Sequence, residues 1–205
     1  MCGCVCKYHF DNSFKDDKQV LLNASTTLAH RGPDAKKYKN IKNFQAVFYR
    51  LSIRDLSANG NQPIFSHSKN FIMVFNGEIY NTDYLLTLLN KNKLKGKSDS
   101  EILINLFEEK GPKALQIIKG MFSFVIYDIK NNKIFAARDR FGIKPLYYYK
   151  NRNKIIFSSE IKPLLKIINS ISFNEKSFFD LFNKGYLDHD DKTFFKNIAS
   201  LMPGN

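Results

Sequence analysis

All three cysteines of this 205-residue chain stand at positions 2, 4 and 6, inside the opening run MCGCVCKYHF. Side chains two apart share one face of an extended strand, so this spacing predicts a chain that begins as a β-strand with its thiols on a common side. An odd cysteine count gives no complete disulfide framework, and C-x-C-x-C without a later cysteine lacks the second ligand pair of a structural zinc site. Cys4 and Cys6 then read as small core residues, with metal binding through the thiols and His9 as the alternative. Cys2 is left at the very start of the chain.

The rest of the sequence supplies partners for that strand. Residues 18–28 carry Val20, Leu21, Ala24 and Leu28 at helical spacing, and the helix ends before His30-Arg31-Gly32-Pro33-Asp34, a loop by its Gly and Pro. Residues 44–50 and 70–75 read as strands, the second ending at Asn76-Gly77, a dipeptide that takes positive φ readily. A short apolar helix is expected over 82–89. Ser98-Asp99-Ser100-Glu101 has the spacing of a capping box, ahead of Ile102, Leu103, Leu106 and Phe107 on one face and a stop at Gly111-Pro112. Segments 121–127, 133–138, 146–149 and 154–158, joined by Asn-rich turns, read as antiparallel hairpins. Helices are expected over 162–168 and 175–183. Strands at both ends with helices between predict an α+β chain of antiparallel sheets covered by helices.

Composition narrows the partners. With 43% hydrophobic and 25% charged residues, ten Gly and six Pro, the chain is neither disordered nor collagen-like. It has no apolar run of the roughly 18 residues that a membrane span requires, and its start lacks the pattern of a signal peptide. A cytoplasmic protein with no membrane partner is expected. The net charge of +13 raises nucleic acid as a partner, but 26 of the 32 basic residues are lysines scattered through every segment. Arg31, Arg50, Arg138 and Arg140 fall inside motifs with another use. A solvated lysine surface is expected, and nucleic-acid binding is not.

A cysteine next to the initiator Met becomes the first residue if Met1 is trimmed. Nucleophile and base then share one residue: the thiolate is the reactive species, and a free α-amine titrates at about 7.7–8.0, near the working pH. A thiol attacking an amide needs donors aimed at the developing oxyanion. Asn76-Gly77 offers a side-chain amide beside a backbone N–H, and reads equally as a plain tight turn. An amino-acid substrate needs a cation for its α-carboxylate and an anion for its α-ammonium, because burying either unpaired is costly. Arg50 and Asp99 fit those needs, with a surface ion pair and a helix-dipole carboxylate as their other readings. Glu78 adjoins the candidate oxyanion donors.

Taken together, Met1-Cys2-Gly3, His30-Arg31-Gly32-Pro33-Asp34, Arg50-Leu51-Ser52-Ile53, Asn76-Gly77-Glu78-Ile79-Tyr80-Asn81 and Ser98-Asp99-Ser100-Glu101 make a recognisable series. It continues with Gly120-Met121-Phe122, the run ARDRFGIKPLYY from Ala137, and Ser158-Ser159-Glu160-Ile161-Lys162. These eight blocks, in this order, resemble the glutaminase domain of glutamine-hydrolysing asparagine synthetases, class II amidotransferases, over nearly the whole chain. The resemblance implies a four-layer αββα N-terminal nucleophile hydrolase fold, with two stacked antiparallel sheets between helical layers. It implies hydrolysis of glutamine to glutamate and ammonia, with Cys2 as nucleophile and Asn76 and Gly77 as oxyanion hole. Arg50 and Asp99 would hold the α-groups, and Glu78 and the backbones of Leu51 and Ile53 would line the pocket. His30 to Asp34 is expected as a loop near the site and not as catalytic residues. No metal or cofactor is expected in this chain.

Three departures stand out. Cys4 replaces an apolar residue such as Ile, and Tyr49 stands where His or Arg is more usual. The family's ATP-binding loop, S-G-G-x-D-S, does not occur in these 205 residues. The resemblance therefore implies a glutaminase domain over 2–190 and, over 191–205, the start of a linker to a synthetase half. That half, in cis or in trans, would bring ATP and Mg and amidate aspartate. Two rivals remain: an amidotransferase of the same branch serving another acceptor such as a sugar, and a non-catalytic truncated interaction domain. The Phe-rich tail, with Phe173, Phe178, Phe179, Phe182, Phe194 and Phe195, predicts an apolar patch that pairs two copies as a homodimer or docks a synthetase partner.

Overall fold

The cysteine spacing forms a strand where expected. In the computed structural model, β1 (Gly3–His9) is the fourth strand of a six-stranded sheet, between β9 (Lys154–Ser158) and β3 (Phe44–Arg50). Both pairings are antiparallel, so segments from opposite ends of the sequence meet on β1. The sheet continues through β2 (Ala35–Ile41) on one side, and through β8 (Tyr147–Lys150) and β10 (Ile198–Ser200) on the other. A second sheet orders β4 (Ile64–Phe65), β5 (Phe71–Ile79), β6 (Gly120–Asp128) and β7 (Lys133–Arg138), again antiparallel throughout. The structure describes all residues except 12–16, 54, 91–93, 95, 97 and 188.

Three cores stack these layers. Cys4, Cys6, Phe44 and Phe48 point inward from the first sheet onto Ile72, Val74, Val125 and Tyr127 of the second. The alternate residues Val5 and Val47 face outward, under Leu21 and Ala24 of α1 (Lys18–Ser25) and Leu164 and Ile167 of α4 (Ile161–Ile167). On the far side, Met73, Phe75 and Phe124 pack beneath α2 (Thr82–Thr87) and α3 (Asp99–Lys110), which bury Leu85, Leu103 and Leu106. The result is the expected αββα sandwich. Both sheets are buried on two faces, so their strands read as near-continuous apolar runs. Each fully buried aliphatic or Phe contributes about 1.5–3 kcal/mol.

Some local expectations change. The strand at 70–75 does not stop at Asn76-Gly77: β5 runs on to Ile79, with Asn76 opposite Ser123 and Gly77 opposite Phe122. Neither residue has positive φ. A nine-residue pairing with β6 outweighs the local turn preference. The helix over 18–28 becomes α1 followed by a 3-10 turn, Thr26–Arg31, which carries His30 and Arg31. The lysine-rich β2 escapes the hydrophobic pattern because it is a half-exposed edge, where lysines keep other strands from pairing. Ile198–Ser200, inside the expected linker, pairs with β8.

One half of the capping box forms as read, with Ser98 Oγ accepting from the Glu101 N–H at 3.3 Å; the Glu101 carboxylate reaches past Ser98 to the Gly96 N–H at 2.8 Å, and α3 stops at Gly111 with φ +58°. Phe173, Phe179 and Phe182 are exposed around α5 (Glu175–Lys184), while Phe178 stacks on Phe194 with centroids 4.7 Å apart. Among the described residues no helix is long and apolar enough to cross a membrane.

Candidate active site

Because β1 and β3 run antiparallel with Gly3 opposite Tyr49, the start of the chain and the end of β3 share one edge of the sandwich. The second sheet brings Asn76 to the same edge. Cys2, Arg50, Leu51 and Ile53 line a cavity there from one side, and Asn76, Gly77, Glu78 and Asp99 from the other. All eight residues singled out in the sequence thus meet around one space. Cys2 is half-buried, Arg50 and Asn76 are buried, and Ile53 is exposed at the rim. Among the described residues no group of three His, Cys, Asp or Glu side chains is placed to hold a metal ion.

The thiol sits on backbone. The Leu51 N–H donates to Cys2 Sγ at 3.4 Å, and the thiol reaches the Leu51 carbonyl at 3.6 Å. Burial pushes the Cys2 thiol above its ordinary pKa, and the Leu51 N–H and the cationic chain terminus pull against that shift. Arg31 fixes the nucleophile from behind. Its Nε donates to the Cys2 carbonyl at 3.0 Å while a terminal nitrogen donates to Glu160 at 3.0 Å, and Glu160 also meets His30 Nε2 at 2.8 Å. Gly32 lies flat on β3, where a Cβ would collide with the Tyr49 carbonyl. Asp34 accepts from the Ser52 N–H at 2.6 Å and donates its own N–H to the Arg50 carbonyl at 3.0 Å. The His30 to Asp34 block therefore clamps both the chain start and the 50–52 turn. Tyr49 turns away from the cavity into the outer core, under Lys36.

The backbone of β5 shows which donors the cavity receives. In an antiparallel ladder, alternate residues point their N–H and C=O to opposite neighbours. Phe122 N–H and C=O both bond to Asp139, away from β5, so its cross-strand partner Gly77 points its own N–H away from β6. Along that outer edge, Met73 is covered by β4. Phe75 is covered by the Gln62 amide, which accepts from its N–H at 2.6 Å and donates to its C=O at 3.1 Å. The Ile79 N–H is taken by Asp99 Oδ2 at 3.2 Å. Gly77 is the gap between these covers, and its N–H faces the cavity it lines. Beside it, the buried Asn76 Nδ2 has no hydrogen-bond acceptor. Two donors are thus left open at one spot, where buried donors are ordinarily paired.

Gly77 is a glycine for a different reason from the one its position suggests. A Cβ would collide with the Met121 carbonyl and lie 2.7 Å from Phe122 Cα, so close approach of β6 requires it. Arg50 is held by the carbonyls of Ser57 (2.7 Å) and Asp55 and by Asn61 Oδ1 (3.1 Å). Asp99, in the first turn of α3, also accepts from the Ser100 N–H at 2.9 Å. Sequence reasoning passed over Gln62, Asp55, Gly60, Met121 and Lys144, which share the lining. Two blocks touched this set, Gly120-Met121-Phe122 at Met121 and the ARDRFGIKPLYY run at Lys144.

Comparison with known proteins agrees with this geometry. Residues 1–205 match the family described as "Glutamine amidotransferase domain". A curated relative from Bacillus subtilis, "Asparagine synthetase [glutamine-hydrolyzing] 2", is 39% identical over 191 residues, 91% of this chain and 25% of its own length. "Amidase chry2" of Gibberella zeae is 36% identical over 93% of this chain and 29% of its own length. The chain thus spans roughly a quarter to a third of the curated relatives it matches. The glutamine phosphoribosylpyrophosphate amidotransferase of B. subtilis superposes over 81% of this chain and 43% of its own, with TM-score 0.62 and 17% identity. That likeness speaks for the fold alone, and with the full-length family match it leads to one conclusion: the chain belongs to the glutamine amidotransferase domain family.

Proposed function

We propose that this chain is the glutaminase half of an asparagine synthetase-like enzyme, hydrolysing glutamine to glutamate and ammonia. The observation that carries the reading is the pair of open donors, Asn76 Nδ2 and the Gly77 N–H, at the cavity that holds Cys2. Arg50 takes the α-carboxylate and Asp99 the α-ammonium, while Glu78 and the Leu51 and Ile53 backbones bound the pocket. After loss of Met1, the Cys2 amine removes the thiol proton, and the sulfur adds to the γ-amide carbon. The oxyanion forms against Asn76 and Gly77. Its collapse expels ammonia, which receives the proton from the amine, and leaves a thioester that water cleaves to glutamate. The ammonia serves an ATP-dependent amidation, with aspartate the acceptor by analogy with the relative from B. subtilis. The residues that would activate an acceptor lie outside these 205.

A second reading, with another acceptor, is supported by the comparable likeness to a fungal protein named an amidase. The test of the hydrolysis itself is glutamate release by protein whose N-terminus has been confirmed by intact mass. Trimmed wild type is expected to release glutamate, and Cys2→Ala to release none. Equal rates in the two would refute the assignment of Cys2.

A further inference from the structure

Lys144 is only 7% exposed, lines the cavity with Cys2, and makes no hydrogen bond or ion pair through its ammonium among the described residues. The stem is buried and the ammonium keeps contact with the open cavity, so it is a cation that no anion among the described residues pairs and that an anionic group of a ligand can reach. The acids nearby do not neutralise it. Asp139, the carboxylate closest along the chain, spends Oδ1 on the N–H groups of Phe141 and Ile143 and Oδ2 on those of Phe122 and Lys144. Asp55 accepts from the Ser57 N–H, and the half-buried Glu78 forms no ion pair with Lys144.

The loop that carries Lys144 is fixed. Its N–H is held by Asp139 Oδ2 at 3.0 Å and its C=O by Arg138 Nε at 2.9 Å. The next carbonyl, of Pro145, accepts from Ser123 Oγ at 3.2 Å, and Leu146 is fully buried between the sheets. These contacts also place Lys144 in the cavity. Phe122 and Ser123 are the cross-strand partners of Gly77 and Asn76, so the lysine lies across β6 from the two open donors. Arg50 belongs to the other sheet.

We propose that the Lys144 ammonium is an anion site at the acyl end of this pocket, which takes the γ-carboxylate of glutamate; the inference rests on the glutaminase reading above. Bound glutamine carries one positive and one negative charge, which Asp99 and Arg50 answer. Its hydrolysis product carries one further negative charge, at the end that Lys144 faces. An ammonium with three donors suits a carboxylate oxygen, and the charge makes the bond stronger than a neutral one. Glutamate is then held at both ends and binds more tightly than its neutral precursor, which makes the site selective for dicarboxylic amino acids and sensitive to product.

The test compares wild type with Lys144→Met, which keeps a long unbranched apolar stem, with Lys144→Gln and with Lys144→Arg, each checked for folding by circular dichroism. Glutamate binding is read by calorimetry, which needs no turnover, and the KM for glutamine from glutamate release. Relative to glutamine, glutamate is expected to lose about tenfold or more in affinity in the Met and Gln variants, and to stay within about threefold of wild type in the Arg variant. An unchanged glutamate-to-glutamine ratio in whichever neutral variant folds would overturn the anion site, as would wild type that binds no glutamate. Glutamate binding that depends on Lys144 in a trimmed protein without hydrolysis would uphold the site and refute the glutaminase reading instead.

Discussion

Truncating Asn76 separates catalysis from stability, because its amide donor does nothing for the fold. In most proteins, loss of a buried amide breaks hydrogen bonds and unfolds the chain along with the site. Here Nδ2 is buried without an acceptor, a state that costs about 1–3 kcal/mol. Asn76→Ala relieves that cost and leaves a small void worth a similar amount, so unfolding free energy is expected to stay within about 1 kcal/mol of wild type. The same change removes one of two donors to the oxyanion, an interaction made fully only in the transition state. Loss of one such donor typically lowers kcat by about 100- to 1,000-fold, or about 2.7–4 kcal/mol. The KM for glutamine should move little, since Arg50 and Asp99 hold the α-groups. Steady-state glutamate release and urea unfolding on the same preparations measure both halves. A kcat loss below about fivefold, or one accompanied by about 3 kcal/mol of destabilisation, would refute the reasoning and make Asn76 a structural residue.

Two further outcomes follow from the same bookkeeping of buried groups. Gln62→Leu strips the buried Phe75 N–H and C=O of the cover that Gln62 gives them on the β4 side, at about 1–3 kcal/mol each, so urea unfolding should show about 2–6 kcal/mol of destabilisation, with kcat falling as the Gly77 edge shifts; a change under 1 kcal/mol would refute it. At alkaline pH, burial raises Cys4 from 9.0 to about 11 and Cys6 well above its ordinary value. The native state then holds these protons more tightly than the unfolded state, so the stabilisation is complete below about pH 9 and is lost as pH rises towards the native pKa. Cys4 alone accounts for about 3 kcal/mol between pH 9 and 11, and Cys4→Ala should flatten the decline by about that amount in unfolding titrations.

The two-residue alternation of the cysteines, the capping box at Ser98 and the helix stop at Gly111 were legible because each is set within a few residues by backbone geometry. The pocket was legible only through the joint order of its blocks, since Cys2, Arg50, Asn76 and Asp99 are far apart in sequence and each has an ordinary structural use. The lysine-rich β2 was not legible because an edge strand has no buried face to impress a pattern. The Asn76-Gly77 pair misled for a related reason. Its dipeptide favours a turn, and pairing with Phe122 and Ser123 of β6, far along the chain, keeps it extended. Gln62 could not have been found at all: its role is to stand in for the backbone of a strand that begins too late.

That late start of β4 connects fold to chemistry. Had β4 begun before Ile64 it would have paired with Phe75 and then Gly77, and the Gly77 N–H would have been spent on the sheet. Instead the Gln62 side chain covers Phe75, Asp99 covers Ile79, and the one donor between them is left open next to Asn76. On the far side of β6, just past the end of β7, Asp139 holds the Phe122 backbone N–H and C=O and hangs the Lys144 loop from them. Arg138, next to Asp139, grips Ser200 Oγ and the Leu201 carbonyl, so the segment after β10 is tied to the same loop. The uncovered outer edge of β5 thus supplies the Gly77 donor, while the end of β7 on β6 supplies the Lys144 loop and its tie to residues 200–201.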